Sequence, residues 1–210
     1  GRQDEARKLL DLPADAAVLL FAGRIQPLKA PDVVLKAAAV MLERDPSLRD
    51  RLVVAIVGGA SGSGLERPSA LSDLSTSLGL EDVVRFVPTV SQAALADWYA
   101  AASVVCVPSY NESFGLVAIE AQACGTPVVA ARVGGLPTAV SDGVSGVLVD
   151  GHDPADYATA LHPLLVDVAL REAMSEKAVH HAESFGWDVT ADRTLDVYEA
   201  AIAAYAKSPS

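Results

Sequence analysis

This sequence is poor in the features that mark several large protein classes. No apolar run approaches the ~20 residues needed to cross a bilayer as a helix, so no membrane partner is expected. Cysteine occurs twice, as Cys106 in VVCVP and Cys124 in AQACGTP, with no C-x-x-C spacing. Two reduced thiols among apolar neighbours are expected, as in a cytoplasmic protein, rather than a disulfide framework. Histidine is scarce, and His180 and His181 are adjacent. Neighbouring helical residues point ~100° apart, so that pair does not chelate a metal from one face. Positive charge is in deficit: 16 Lys and Arg stand against 27 Asp and Glu, a net of -11. Such a surface repels nucleic acid and anionic lipid, which excludes a general phosphate-backbone binder. Any anion held here must be gripped by a few local groups working against the global field.

Apolar residues, by contrast, make up 51 % of the 210-residue chain, enough for one sizeable core. They fall in short runs. AVLLFAG (16–23) reads as a strand covered on both faces, and RLVVAIVGG (51–59), VVRFVP (83–88), SVVCVP (103–108), PVVAA (127–131) and GVLVD (146–150) read as five further strands. Helices are expected between them. Pro31 opens one that runs to Arg44, another lies near 69–78, and Ser91 caps a third that ends at Ala101. A further helix begins near Phe114 or Gly115. Three more close the chain, over 154–165, 168–183 and 188–206. The last carries an apolar stripe of Leu195, Tyr198, Ile202 and Tyr205. Only the ends, 1–5 and 207–210, have linker-like composition. Strands alternating with helices predict an α/β fold with a doubly wound parallel sheet, Rossmann-like, whose strand carboxyl ends share one ligand-binding edge.

Three loops at that edge carry candidate chemistry. AGRIQPLKAP places Arg24 and Lys29 just past the first strand. A guanidinium fork and an ammonium converging from one loop suit a pyrophosphate, although two such cations are often only solvated surface charge. NESFGLVAIEA places Glu112 before a helix and Glu120 inside it. The free N–H groups of Phe114, Gly115 and Leu116, at the positive helix end, form an anion site, and Gly115 lets a ligand approach the backbone. An ionised carboxylate at Glu120 suits paired sugar hydroxyls. The plain alternatives are a capping charge for Glu112 and a rim ion pair for Glu120. VGGLP (133–137) opens another short helix toward the same place. GGASGSG (58–64) lacks the Lys-Ser/Thr of a P-loop, and no G-x-G-x-x-G follows the first strand, which argues against a nicotinamide-dependent dehydrogenase.

GRIQPLKAPD, the E-x7-E pair Glu112 and Glu120, ACGTPVVAARVGGLPTAVSDGVSGVLV and FGWDVTAD stand in this order along nearly the whole chain. Together they resemble the nucleotide-sugar-binding half of a GT-B-fold retaining glycosyltransferase of family 4. The resemblance implies that Arg24 and Lys29 bind the donor diphosphate and serve catalysis with Glu112. It implies that Glu112 and the amides at Phe114, Gly115 and Leu116 address the transferred sugar and β-phosphate. Glu120 would hold the ribose, and the loop 87–90, ending at Val90, would meet the uracil partly through backbone groups. A structural magnesium ion is implied near Tyr99, Ala100, Ala102 and Thr126, while the chemistry itself needs no metal. The wording is nearest to family members that use UDP-N-acetylglucosamine as donor and an inositol phosphate as acceptor, in mycothiol biosynthesis.

The same resemblance implies a domain reading. Residues 1–210 would be the C-terminal donor domain, with the N-terminal acceptor domain absent. Another family-4 donor or acceptor, and a non-catalytic nucleotide-sugar-binding module, stay open at this point. So does a homodimer, through the stripe on the last helix.

Overall fold

The computed structural model describes residues 2–59 and 69–206. The loop 58–64 and the terminal segment 207–210 lie almost wholly outside these. Helix α1 (Arg2–Leu9) precedes strand β1 (Ala17–Ala22), α2 (Pro31–Arg44) and β2 (Leu52–Val57). Then come α3 (Ala70–Ser77), β3 (Val84–Val87), α4 (Gln92–Ala101) and β4 (Val104–Val107). Helix α5 (Leu116–Ala123), β5 (Val128–Ala131), the short α6 (Leu136–Ala139) and β6 (Gly146–Val149) complete the alternation. Helices α7 (Pro154–Val166), α8 (Val168–Glu183) and α9 (Trp187–Ala206) follow. The six strands are parallel and lie in the order β3-β2-β1-β4-β5-β6. Chain order therefore reverses between β1 and β4, the position at which doubly wound sheets open a ligand crevice.

The central apolar runs form strands because both of their faces find cover, whereas β3 at the sheet edge is only partly covered, with Arg85 and Phe86 exposed. Every residue of β1 and β2 is buried. Successive side chains alternate across the sheet. Leu19 and Phe21 join Val54, Ile56, Leu35, Met41, Leu161 and Leu164 on one side. Val18 and Leu20 join Val105, Trp98, Tyr99, Ala118 and Ala121 on the other. Small residues matter on the second side: Ala118 and Ala121 of α5 are fully buried, which lets this helix lie close to the sheet.

The first residues depart from expectation. The segment read as a linker is the body of α1, and Arg7 explains why it folds down. Its guanidinium donates from Nε to the Ala101 carbonyl at the end of α4 (3.1 Å), from Nη1 to Ala14 O (2.5 Å) and from Nη2 to Ser103 Oγ (3.3 Å). Arg171 likewise donates to Leu164 O in the last turn of α7 (3.0 Å). Burial, and the proximity of these two guanidiniums, holds the Arg7 pKa below its ordinary value. Helix carbonyl ends carry partial negative charge and unmade hydrogen bonds, so arginine serves both needs at this lower edge of the sheet.

At the other end of the chain, α9 borders a groove of about 770 Å³ lined by Phe114, Leu116, Phe185, Trp187, Val197 and Tyr198. Leu195, Tyr198, Ile202 and Tyr205 are all exposed. Among the described residues no helix is long and apolar enough to cross a membrane. Cys106 is buried as expected, but Cys124 is only half-buried.

Candidate functional site

The loops leaving β1 and β4 part on either side of the switch point, and two contacts tie them together. Tyr110 N donates to Leu28 O (2.9 Å). Lys29 Nζ donates to Glu112 Oε2 at 2.5 Å, with the two side chains only 24 % and 17 % exposed. A pair covered to that degree is screened less than a surface pair. It also excludes the capping role for Glu112. The cap position of α5 is Gly115, and no side chain caps the helix there.

The segment NESFG is seated by the other loops of the same edge. Gly135 N donates to Glu112 O (2.8 Å). A β-carbon on Gly134, where φ is 52°, would lie 1.9 Å from Glu112 O. The glycines of VGGLP thus let one backbone rest directly on another. His152, beyond β6, places Nε2 3.2 Å from Ser109 O and stacks its ring on Tyr110, centroids 4.0 Å apart. His152 and Tyr110 escaped sequence reasoning because no local pattern connects residues so far apart.

Gly115 has a structural reason to be glycine as well. Its φ of 94° lies in the left-handed region, and a β-carbon there would meet Leu136 Cδ2 at 3.0 Å and Ala139 Cβ at 3.1 Å. The left-handed backbone, with α6 packed tightly against it, favours glycine at this position. The positive end of α5 remains open beside it, flanked by Phe114 and Leu116, which are 46 % and 61 % exposed.

Arg24 is exposed and lines a cleft of about 420 Å³ with Gly23, Gly58, Gly59, Thr89, Val90 and Leu95. The structure therefore puts Arg24 and Val90 in one hollow over the ends of β1, β2 and β3. Lys29, Glu112 and the start of α5 lie on the β4 side of the switch point.

Glu120, one turn into α5, is half-buried. Its Oε2 accepts a hydrogen bond from the Tyr99 hydroxyl of α4 at 3.1 Å. Among the described residues it has no ion-pair partner, so the rim ion pair does not hold. Burial, then the adjacent Glu120 carboxylate, pushes the Tyr99 phenol well above its ordinary pKa, and the hydroxyl stays a donor.

The four residues associated with magnesium are all buried. Thr126 Oγ1 donates to Tyr99 O (2.6 Å), Ala102 N donates to the same carbonyl (3.2 Å), and Gln3 Nε2 donates to Ala102 O (2.9 Å). The set is neutral, contains no carboxylate, and has its Tyr99 and Ala102 oxygens engaged within the protein. It does not fit a divalent cation. Among the described residues no cluster of three or more His, Cys, Asp or Glu has metal-binding geometry.

The family model for glycosyl transferases group 1 matches residues 2–181. A D-inositol 3-phosphate glycosyltransferase of Thermomonospora curvata is 63 % identical over 201 residues, covering 96 % of this chain and 47 % of that protein. The chain thus spans about half the length of the curated relatives it matches. Among solved structures it is similar to Anabaena HepE in complex with UDP, with a TM-score of 0.81 and 26 % identity over 95 % of this chain and 52 % of that one. The complex of HepE with UDP-glucose gives a TM-score of 0.79 at the same 26 % identity and coverage of 95 % and 52 %. Both are built on the GT-B glycosyltransferase architecture to which this six-stranded sheet corresponds.

Proposed function

The chain belongs to the glycosyl transferases group 1 family, and on that premise we propose that it is the donor-binding half of a retaining glycosyltransferase. Its donor is UDP-N-acetylglucosamine, its acceptor 1D-myo-inositol 3-phosphate, and its product a precursor of mycothiol. The acceptor is held by a domain outside these 210 residues. Support comes from the name of the Thermomonospora curvata relative and from the UDP and UDP-glucose complexes of HepE.

The observation that carries this reading is the convergence at the switch point. Lys29 is fixed by Glu112 beside the open end of α5, and Arg24 stands on the same loop over the cleft that contains Val90. A nucleoside diphosphate laid across that edge puts its base toward Val90 and its phosphates toward Arg24, Lys29 and α5. In the transfer, the bond from the sugar's anomeric carbon to the β-phosphate oxygen breaks and the acceptor hydroxyl bonds from the same face. The departing phosphate oxygen takes up the acceptor's proton. Negative charge grows on the diphosphate, and fixed cations with an oriented helix end stabilise it there.

Calorimetric titration of the chain with UDP, GDP, UDP-N-acetylglucosamine and NAD tests this directly. UDP and its N-acetylglucosamine ester are expected to bind, with GDP and NAD much weaker. Arg24→Ala should weaken UDP by about 1.5–3 kcal/mol, the range for charged hydrogen bonds. Unchanged affinity in that variant would remove Arg24 from the site.

A further inference from the structure

Tyr99 is unusual among the large buried side chains of this molecule because it ends in a polar atom that reaches a site residue. The phenol ring belongs to the apolar layer containing Trp98, Ala118 and Ala121, and the residue is 2 % exposed. Its backbone is held as well, since the Tyr99 carbonyl accepts from Thr126 Oγ1 (2.6 Å). A ring fixed at the backbone and packed along its length has little freedom left in its hydroxyl position. That hydroxyl lies 3.1 Å from Glu120 Oε2. A buried hydroxyl without a partner is costly, so the contact is strongly favoured. The acceptor is a carboxylate, the class of partner that hydroxyls bind more strongly than neutral ones, although 3.1 Å is longer than the usual ~2.5–2.7 Å for such a pair.

The consequence falls on Glu120. A glutamate side chain has three rotatable bonds and, on a helix surface, samples several rotamers. Glu120 instead stands on α5 with one oxygen tied to a rigid neighbour on α4. A carboxylate offers about four lone-pair directions; one is taken by Tyr99, which narrows the positions the carboxylate can adopt. The remaining directions are then presented in fewer orientations rather than averaged over many. Selective recognition of neighbouring hydroxyls requires that kind of restricted acceptor.

We propose that Tyr99 is a positioning residue for donor recognition: its hydroxyl orients the Glu120 carboxylate so that Glu120 reads the ribose hydroxyls of the nucleotide. The proposal rests on the assignment of Glu120 to the ribose in the reading above. Tyr99 touches no part of the donor and acts only through Glu120.

A double-mutant cycle separates this role from a structural one, because an effect exerted through the Glu120 carboxylate must shrink when Glu120 becomes glutamine, a neutral and weaker acceptor. Affinities for UDP, 2′-deoxy-UDP and 3′-deoxy-UDP are measured by calorimetry for the wild-type chain, Tyr99→Phe, Glu120→Gln and the double variant. Phenylalanine keeps the ring and its packing, and thermal unfolding checks that the fold is retained. Tyr99→Phe is expected to weaken UDP about 5- to 10-fold, to weaken the deoxy analogues less, and to change affinity less than about 2-fold when Glu120 is already glutamine. Equal loss in both backgrounds, or undiminished discrimination against the deoxy analogues in Tyr99→Phe, overturns the proposal. If Glu120→Gln retains wild-type discrimination, the ribose assignment falls and the role of Tyr99 falls with it. If Glu120→Gln loses discrimination and Tyr99→Phe does not, the assignment stands and only the positioning role is refuted.

Discussion

Lys29 and Glu112 are 83 residues apart in sequence yet share one hydrogen bond, and this pairing changes what a substitution should do. Glu112 places a negative charge where a diphosphate would also seek Lys29. Glu112→Gln removes that competitor but keeps the shape. UDP affinity is therefore expected to hold or rise by up to about threefold, while discrimination between UDP-N-acetylglucosamine and UDP-glucose declines. Calorimetry with the three ligands checks both parts, and a large loss of UDP binding would show that the carboxylate serves the diphosphate itself. The charged residues were legible individually, because each stands in a loop at a strand's carboxyl end. Their pairing was not, since it depends on which strands become neighbours at the switch point. Gly115 shows the same limit: its need for glycine was legible, but one cause, contact with Leu136 and Ala139, required the third dimension.

Among the elements, all six strands were readable because continuous apolar runs have few other fates in an alternating chain. Helix α1 was not readable. RQDEARKL has no apolar face wide enough to mark it, and its mean composition is that of a tail. What fixes it is a single side chain inserted among the carbonyls at the end of α4. Arg7→Ala should therefore lower stability by about 2 kcal/mol or more, because buried acceptors lose their donor. Chemical denaturation measures this, and the slope with denaturant should stay constant. UDP affinity should be unchanged under folding conditions, since Arg7 lies at the edge remote from the loops. Helix α9 presents the reverse case. Its stripe of Leu195, Tyr198, Ile202 and Tyr205 was legible from spacing, but in the fold these side chains remain in solvent.

At the scale of the molecule, the described residues hold a six-stranded sheet with helices on both faces, and the site loops rise from that sheet. The chain should fold and bind UDP by itself. It should not transfer sugar at rates of about 1 s⁻¹, ordinary for enzymes, because the cleft is open to water on the side away from the sheet. An assay with UDP-N-acetylglucosamine and inositol phosphate, run beside light scattering, tests both halves of this expectation. Turnover at that rate would refute the domain reading, and the exposed stripe on α9 should show as concentration-dependent self-association.

The parallel sheet has a direction, and the arginines at its lower edge give that direction a use. Every helix that packs antiparallel to the strands brings its carbonyl end to one margin and its amide end to the other. At the carbonyl margin Arg7 and Arg171 answer the chain's own oxygens. At the amide margin no side chain caps α5. The two rims are thus chemical complements, one sealed and one open, separated by an apolar slab. A library of point substitutions scored once for melting temperature and once for UDP retention should accordingly fall into two populations. Substitution of Arg7 at the lower rim should appear as lost heat resistance with affinity intact, and substitution of exposed Arg24 at the upper rim as lost affinity in a protein that melts as before.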